Sequence, residues 1–470
     1  MSEGFNPAEL ARRDTNRLKG YKELLDFYHG VHWEGRERRG EKRLTFNYAK
    51  VFVDKVTSYL MSGISLTVDP VADSDEARAS ARQAETALYQ VYQDNNLEQL
   101  DFETEIDCAI LGDAGYKVIW DQETRSVRIT APDIQGIYAW WVGDNTSRVW
   151  RIASKYSLTA DVVESLYKVK AKDKIATIVE LWTARDFELW IDGMQVERKP
   201  NPYGFLPFVI YPNLREPKKF WGVSDLSQII EPQRELNRAT SQLSKILELS
   251  GNPIAVLENV EESEDIAVRP GAVWNIPEDA KAYLLDLLQG GGVRLHIDYI
   301  NLLYRILHDV SESPRAAFGG TERDLSGVAL EIEVQPLLQK VRRKRIIRTA
   351  AYNQRNRLIL KLLEKYHPAF NTGESFGDNR LGVVWGPVLP QDLAKLVANE
   401  QALVQTGIHS RRRAMNEVGV EDPEAEFNRW LEEREAILKM NKELNLRPAR
   451  GGARERAVVP QAEVVEESLS

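Results

Sequence analysis

Three long helical patterns between Gly222 and Tyr366 constrain the fold of this chain more than any other feature. A compact β-like insert separates the first from the second, and a short polar, glycine-rich loop separates the second from the third. The third spans Val328 to Tyr366, about 55–60 Å at 1.5 Å per residue, which is far longer than a typical globular helix. Much of such a hairpin would project from any single core, so this order predicts a subunit of a ring.

Pro336 lies inside the third helical pattern. Proline has no N–H to donate, and its ring clashes with the preceding turn of a helix. We therefore expect this helix to bend at Pro336.

Composition excludes several classes of protein. The 470 residues are 43% hydrophobic and 28% charged, which is ordinary for globular proteins of two to four domains. No apolar run reaches the roughly 18–20 residues that span a bilayer, and the N-terminus lacks the pattern of a secretory signal. Cys108 is the only cysteine, which excludes intrachain disulfides and zinc sites built from several cysteines. We expect a soluble intracellular product with no membrane partner.

The net charge is −9, with 71 acidic and 62 basic residues. Proteins that bind duplex DNA tightly usually carry a basic excess, because neutralisation of phosphates supplies much of the affinity. Two interpretations remain open at this point. Either the partner is not nucleic acid, or DNA passes the protein without being held.

Periodicity predicts helices first and strands second in the N-terminal half. Helices are expected over 5–29, 47–60, 75–94 (capped by Ser74) and 97–111. Strands are expected over 116–120, 127–131, 149–156, 175–183, 187–191 and 194–198. Asp192-Gly193 has the signature of a two-residue hairpin turn. This half should form a small mixed domain with a β-rich centre.

The C-terminal half is predicted to be mainly helical. Ser224-Asp225 should cap a helix that Pro232 bends near its start, and a second helix should run from Val293 to Val310. Further elements are a polar loop over 313–327, short apolar stretches at 254–257 and 272–276, a strand at 381–385, and helices over 390–406, 410–418 and 423–443. Residues 447–470 have low hydrophobicity and no periodicity, which is typical of disorder.

Local motifs favour no enzymatic site. His29, His32 and Glu34 lack the further ligands that a zinc site needs, and the segment Gly112 to Gly115 lacks the phosphate-loop pattern, so a helix C-cap and tight turn explain it better. Four acids on predicted helices are better explained as solvated residues; they are Glu231, Glu235, Asp298 and Asp309. We therefore predict no catalytic residues, no metal and no cofactor.

A dense basic run lies on the third helix and is a candidate contact surface. It comprises Lys340, Arg342, Arg343, Lys344 and Arg345. Contact with a phosphate backbone or an acidic partner is one interpretation. A solvated surface that bridges subunits is at least as well supported, because the side chains spread around more than one helical face.

Six short motifs occur in a fixed order along the chain. They are Arg43-Leu-Thr-Phe-Asn47-Tyr-Ala-Lys50, Leu111-Gly-Asp-Ala-Gly-Tyr-Lys-Val118, Asn201-Pro-Tyr-Gly-Phe-Leu-Pro207 with the following 208–213, Phe220-Trp-Gly-Val-Ser-Asp-Leu226, Glu231-Pro232-Gln233 with Asn237, and Ser326-Gly327-Val-Ala-Leu330. In this order they resemble the portal proteins of tailed bacteriophages, in particular the SPP1-like siphophage type. The resemblance covers about residues 20–440.

The resemblance implies an α+β, mainly helical portal fold that forms a dodecameric ring around a DNA channel. It implies a wing over 1–222 with a small β-rich part, stem helices over 223–251 and 289–312, and a clip over 252–288. It further implies a tunnel loop over 313–327, a kinked wing helix and strand over 328–388, and a crown over 389–446. Residues 447–470 match no part of the family's pattern.

Six residues of the tunnel loop are then expected to face the DNA channel. They are Arg315, Phe318, Thr321, Glu322, Arg323 and Asp324. Arg315 and Arg323 are candidates for transient phosphate contacts, with Phe318 as a bulky tip. Under the resemblance, the acidic net charge suits a conduit through which DNA slides.

The family resemblance also implies partners and a location. Double-stranded DNA would pass through the ring during packaging and ejection. The terminase large subunit would dock first and supply ATP hydrolysis, and a head-completion or adaptor protein would follow. The ring would sit at one capsid vertex of the virion, in contact with major capsid and scaffolding proteins, after synthesis in the host cytoplasm.

Two alternatives belong to other functional classes. Another head-assembly protein, such as an adaptor or scaffold, would be shorter and would lack the helix–clip–helix–loop–helix order. A phage nucleic-acid enzyme would need a convergent carboxylate or metal cluster.

Overall fold

The computed structural model describes residues 5–39, 41–251, 254–258, 281–285, 292–320, 327–368, 370, 376, 379–389, 393–420 and 423–445. The chain divides after Val388 into two compact units. Mixed helix (53%) and strand (22%) give the α+β class that the sequence predicts.

The first unit opens with helices. These are α1 (Leu10–Arg13), α2 (Thr15–Tyr28), α3 (Tyr48–Leu60), α4 (Asp75–Asp94) and α5 (Leu97–Leu111), with strand β1 (Ile64–Asp69) between α3 and α4. The Ser74 side chain accepts a hydrogen bond from the Ala77 amide and caps α4, and Asn47 caps α3 in the same way through the Lys50 amide. These bounds confirm the last three helices expected in this region, whereas the helix expected over 5–29 is interrupted at Asp14.

A β-rich region follows the helices. Its elements are β2 (Asp113–Asp121), β3 (Ser126–Thr130), β4 (Ile137–Val142), β5 (Asn145–Thr159), α6 (Ala160–Tyr167), β6 (Ile175–Thr183), β7 (Asp186–Ile191), β8 (Met194–Pro200) and β9 (Phe208–Pro212). One antiparallel sheet has the order β3-β2-β9, and a second has the order β4-β5-β6-β7-β8. Asp192 and Gly193 both have positive φ, so the predicted hairpin turn is confirmed.

Long helices dominate the rest of the first unit. The elements are α7 (Ile230–Gly251), β10 (Ile254–Glu258), β11 (Lys281–Leu285), α8 (Gly292–Val310), α9 (Gly327–Glu333), α10 (Gln335–Tyr366) and β12 (Arg380–Trp385). Strands β10 and β11 pair antiparallel between α7 and α8. Strand β12 pairs with β1, which lies far earlier in the chain.

The second unit consists of three helices in the part that the structure describes. They are α11 (Leu393–Gln405), α12 (Arg411–Val418) and α13 (Pro423–Asn445). Their bounds agree with the helices predicted in this segment. No described helix of either unit is long and apolar enough to span a bilayer.

Gly112 follows the end of α5 and packs against the segment that leads into α7. Its φ is +90°, and a Cβ atom there would lie 2.8 Å from the Ser224 amide nitrogen. Only glycine combines this conformation with so close a backbone approach. The Ser224 hydroxyl donates to the carbonyl of Ala109, 3.2 Å away, and thereby fastens the same junction.

Several sequence predictions are wrong in detail. The segment Asp113 to Gly115 belongs to strand β2, because its backbone pairs with β9, and is not a tight turn. Helix α7 begins at Ile230, not at Ser224-Asp225, so Pro232 lies in the first turn, where its missing N–H breaks no helical hydrogen bond. The periodicity also missed β1, β4, α6, β9 and β11. The apolar stretch 272–276 lies outside the described residues.

Candidate functional site

The candidate site is the loop between α8 and α9, which the family resemblance implies to face a DNA channel; we call residues 313–327 the channel loop. Its first part forms a 3-10 helix over Arg315–Phe318 that ends at Gly319, where φ is +84°. The Tyr59 hydroxyl of α3 donates to the Ala317 carbonyl at 2.9 Å. Thr321, Glu322, Arg323 and Asp324 lie outside the described residues.

Arg315 folds back over its own loop. A Cβ atom on Gly320 would lie 2.8 Å from the Cγ and Nε atoms of Arg315, so a larger residue there would displace the arginine side chain. The guanidinium carbon lies 5.8 Å from the centre of the Tyr304 ring on α8. The start of the loop is therefore packed against the end of α8.

Phe318 packs inward. Its ring meets Phe52 edge-on at 5.2 Å between centroids and meets His308 at 5.4 Å. Edge-to-face pairs of this kind add to the free energy gained by burial. The expectation that Phe318 forms a bulky tip is wrong, because its ring holds the loop onto α3 and α8.

His308 ties the end of α8 to the loop. Its Nδ1 atom lies 2.6 Å from the Ser313 carbonyl oxygen, which can only accept, so Nδ1 carries the proton. The Nε2 atom is buried and has no hydrogen-bond partner among the residues that the structure describes. Burial lowers the pKa of His308, so the imidazole is neutral at pH 7.

A buried ionic cluster lies next to the start of the channel loop. It consists of Asp225, Lys340 and Lys344, and we call it the Asp225 cluster. The Lys344 ammonium donates to the Asp225 carboxylate, and Lys340 Nζ lies 3.3 Å from it. Lys340 also donates to the Ser311 carbonyl at 3.0 Å, next to the channel loop. The cluster thus links α10 to the end of α8 and to the segment before α7.

Charge neutralisation holds the Asp225 cluster together. Burial alone raises the pKa of the Asp225 carboxyl, but Lys340 and then Lys344 outweigh it and hold that pKa well below its usual range. Burial also lowers the pKa of Lys344 to about 8, although Asp225 opposes this shift. The carboxylate is therefore ionised at neutral pH and is the charge that makes two buried lysines tolerable.

The basic run on α10 does not form one surface. Lys340 and Lys344 are buried in the Asp225 cluster, and Arg345 donates to the carbonyls of Leu60 (3.1 Å) and Gly386 (2.8 Å). These three residues stabilise the interior, so assigning them to a contact surface was wrong. Their spacing had suggested solvated faces, but the helix is packed on several sides.

Two arginines of the same run are exposed. Arg343 forms an ion pair with Glu312 at 2.5 Å, beside the channel loop, and Arg342 faces solvent. Only these two side chains of the basic run are available for contact with a partner.

Helix α9 ends at Glu333 and α10 begins at Gln335, so the long helix is interrupted at Val334. Pro336 lies in the first turn of α10, where the absence of its N–H leaves the Ile332 carbonyl without the usual partner. The interruption lies two residues before the proline at which the sequence predicts a bend.

Helix α8 exposes a row of apolar side chains in the single chain. Leu295 is 72% exposed and Leu302 is 48% exposed, and their spacing of seven residues places them on one face of the helix. Helices α7 and α8 pack on each other, and Tyr299 donates to Glu235 of α7 at 3.3 Å. An apolar helical surface that its own hairpin leaves uncovered is typical of a subunit contact.

The remaining candidate sites lack the geometry of a metal centre. His32 accepts from Asn237 through Nδ1 at 2.8 Å and donates from Nε2 to the Phe27 carbonyl at 2.9 Å, so both nitrogens are engaged. Among the described residues, no three His, Cys, Asp or Glu side chains are grouped to hold a metal ion.

Sequence reasoning missed the residues that hold the loop, namely Phe52, Tyr59, His308 and Asp225. They come from different elements, and no spacing in the sequence relates them. The one available signal was the acidic residue of the Ser224-Asp225-Leu226 motif, which was assigned to a helix cap.

The family model for phage portal proteins of the SPP1 Gp6-like type matches residues 8–440 of the chain. A search of curated proteins finds no match. Such proteins are structural rather than catalytic, are components of the phage capsid and assemble into oligomeric rings. Since the match spans nearly the whole chain, the chain belongs to the family of SPP1 Gp6-like phage portal proteins.

Proposed function

We propose that this portal protein forms a dodecameric ring at one capsid vertex and provides the channel for double-stranded DNA in packaging and ejection. The observation that carries the proposal is the uncovered apolar row on α8, within a hairpin that the family match includes. Side chains such as Leu295 and Leu302 gain about 25 cal/mol for each Å² they remove from water, so they favour contact with a neighbouring copy.

In this proposal, each region has one role in the ring. Residues 1–222 form the wing, α7 and α8 the stem, and the β10–β11 hairpin with its connection the clip. Residues 328–388 form the kinked wing helix and its strand, and 389–446 the crown. The antiparallel pair β10–β11 supports the clip, because a two-stranded hairpin is marginal alone and its free edges favour pairing across subunits.

We further propose that the channel loop contacts passing DNA. Arg315 and Arg323 would make transient phosphate contacts, with Thr321, Glu322 and Asp324 beside them. Phe318 would act as the inner anchor of the loop, as its packing on Phe52 supports. The net charge of −9 favours weak contacts that let DNA slide.

Partner docking completes the proposal. The terminase large subunit would dock on the ring and supply the ATP-driven motor, and a head-completion or adaptor protein would replace it after packaging. Major capsid and scaffolding proteins would hold the ring at its vertex. The ring would thus be a component of the virion, connect the head to the tail and let the genome pass out during ejection.

Ring formation can be tested by mass photometry and negative-stain imaging of the purified protein. Wild type should form rings with a central hole. The Leu295→Glu/Leu302→Glu variant should yield smaller species, because it places two charges in the apolar row. Leu166→Glu on α6, where the side chain is 63% exposed in the single chain, is the matched control. A monomeric wild type at micromolar concentration contradicts the proposal.

The channel role is tested by packaging in an assembled prohead system. Arg315→Glu/Arg323→Glu should form rings but package or retain less DNA, because both changes place acids beside the phosphates. Rings that package DNA normally with both charges reversed contradict the assigned role of the loop.

A further inference from the structure

We propose that a basic groove beside α7 binds an acidic segment of a partner protein. The groove lies between residues 32–43 and α7 and offers about 930 Å³, at the upper end of the range for ligand sites. Eight basic side chains line it: Arg36, Arg38, Arg39, Lys42, Arg43, Arg234, Arg238 and Lys245. This inference goes beyond the channel function and does not rest on it.

Internal hydrogen bonds shape the loop that carries the first arginines. The Arg43 guanidinium donates to the carbonyls of Gly35 (2.9 Å) and Arg36 (3.0 Å), which closes the loop. The Trp33 indole N–H donates to the Thr45 hydroxyl at 3.1 Å, and Arg43 lies over the Trp33 ring. The backbone near Arg36 is therefore held in place, which lowers the entropy cost of binding.

The same segment is fastened to α7. The Leu44 amide donates to Ser241 Oγ at 2.9 Å, and the Phe46 amide donates to Asn237 Oδ1 at 3.1 Å. Gln233 Nε2 returns a hydrogen bond to the Phe46 carbonyl at 2.7 Å. Because these contacts fix one wall against the other, the groove is a formed site.

The acids in the groove are already engaged. Glu41 forms an ion pair with Arg43 at 3.1 Å, and Glu34 and Glu231 pair with Arg234 at 3.3 and 3.0 Å. Arg36, Arg38 and Arg39 are exposed, and the described part of the chain gives them no salt bridge. Lys42 pairs with Glu248 at 3.6 Å, and Arg238 pairs with Glu235 at 2.6 Å. In a chain of net charge −9, the local positive surface is therefore carried by the three exposed arginines.

Composition of the groove favours a protein partner over nucleic acid. Arginine outnumbers lysine six to two in the lining, and protein interfaces are enriched in arginine and depleted in lysine. Exposed Glu37 lies between Arg36 and Arg38, where it would repel a continuous phosphate backbone. Separate carboxylates can pair with single guanidinium groups and avoid that acid.

The test uses the full-length assembled protein and a fluorescent glutamate-rich peptide, with binding followed by anisotropy at low and physiological salt. The groove variant is Arg36→Gln/Arg38→Gln/Arg39→Gln. The control variant is Arg82→Gln/Arg148→Gln/Arg185→Gln, which removes three exposed arginines outside the groove. We expect the groove variant to bind about tenfold more weakly, a loss of about 1.4 kcal/mol, and the control to bind as wild type does.

All six side chains are exposed, so both variants should retain the fold. Thermal unfolding of both variants checks this. An equal loss of peptide binding in both variants overturns the proposal, since it would show diffuse attraction. Absence of peptide binding to wild type at low salt overturns it as well. A duplex oligonucleotide that binds more tightly than the peptide, and loses affinity in the groove variant, overturns the choice of partner class.

Discussion

Lys344 donates a hydrogen bond to the carboxylate of Asp225, and the two side chains are only 1% and 6% exposed. Lys340 approaches the same carboxylate from one helical turn earlier. One buried acid therefore offsets two buried ammonium groups and links the long helix α10 to the segment before α7. The stability of the first unit depends on the charge that Asp225 supplies to these two lysines.

We expect Asp225→Asn to lower the free energy of unfolding by about 3–5 kcal/mol, because removal of one partner leaves buried charges uncompensated. Glu231→Gln is the matched control, since that exposed acid pairs with Arg234 at the surface and should change stability by less than about 1 kcal/mol. Thermal and urea unfolding measure both. Equal stability of Asp225→Asn and wild type would contradict the role of the cluster.

The deficit of Asp225→Asn should depend on pH. Burial lowers the pKa of Lys344 to about 8 in the presence of Asp225, and loss of the carboxylate lowers it further. A lysine whose folded pKa is below its unfolded pKa binds fewer protons when folded, so stability rises with pH through that window. Above about pH 8, Lys344 is neutral in the folded state of both proteins. The stability gap should therefore narrow from about pH 6 to pH 9, and a constant gap would count against the assignment.

The buried Asp113 carboxyl should also make the free energy of unfolding depend on pH, for a different reason. Its carboxylate accepts from Tyr21 Oη (2.6 Å) and the Gly222 amide (2.7 Å), yet burial dominates and raises its pKa to about 6. The folded state then holds a proton that the unfolded state releases near pH 4, so this group lowers stability as pH rises from about 4 to 6.

Asp113→Asn does not titrate. We therefore expect its stability relative to wild type to improve by up to about 3 kcal/mol between pH 4 and 7, as measured by urea unfolding at each pH. The hydrogen-bonding change in the variant is constant with pH and cancels in this comparison. A difference that stays flat across the range contradicts a raised pKa.

Phe318 anchors the channel loop. Phe318→Ala removes the contacts with Phe52 and His308 and should cost about 1–3 kcal/mol, less than a fully buried phenylalanine. Limited proteolysis should show faster cleavage within 313–327. Phe102→Ala, whose ring is 37% exposed, should leave loop cleavage unchanged. Cleavage of the loop at the wild-type rate in Phe318→Ala would mean that residues other than Phe318 hold the loop in place.

Pro336 accounts for the break between α9 and α10. Pro336→Ala restores an N–H that can donate to the Ile332 carbonyl, so the two helices should become continuous. Hydrogen exchange by mass spectrometry should show slower exchange over 332–338. Pro423→Ala is the control, because the first residue of a helix has no intrahelical acceptor for its amide. Unchanged exchange over 332–338 would mean that packing, not the proline, interrupts the helix.

Local signals in the sequence predicted the regular elements well. Helices α4 and α5 and strand β6 occur at the expected bounds, because caps, glycine stops and periodicity act over a few residues. The misplaced start of α7 shows the limit of such signals. The Ser224 oxygen accepts from the Leu226 amide at 3.0 Å, as a cap would, but residues 225–229 form turns and the helix begins only at Ile230.

Contacts between distant residues could not be predicted from local patterns. Lys340 and Lys344 appear in the sequence as part of a basic surface, and only the fold brings Asp225 to them. Phe318 appears as an exposed tip until Phe52 is placed beside it. Short strands such as β1 also escape detection, because their partner determines their pairing.

The pairing of β1 with β12 determines how late in translation the first unit can close. Val68 pairs with Leu381, about 310 residues further along the chain. At about 5–20 residues per second, a ribosome needs roughly 15–60 s to make the intervening chain. Throughout that interval the first strand has no partner, so the unit closes only after its last strand has emerged. Copies that associate through this unit can therefore do so only after β12 has been made, and a translation product truncated before residue 380 lacks the strand that closes the unit.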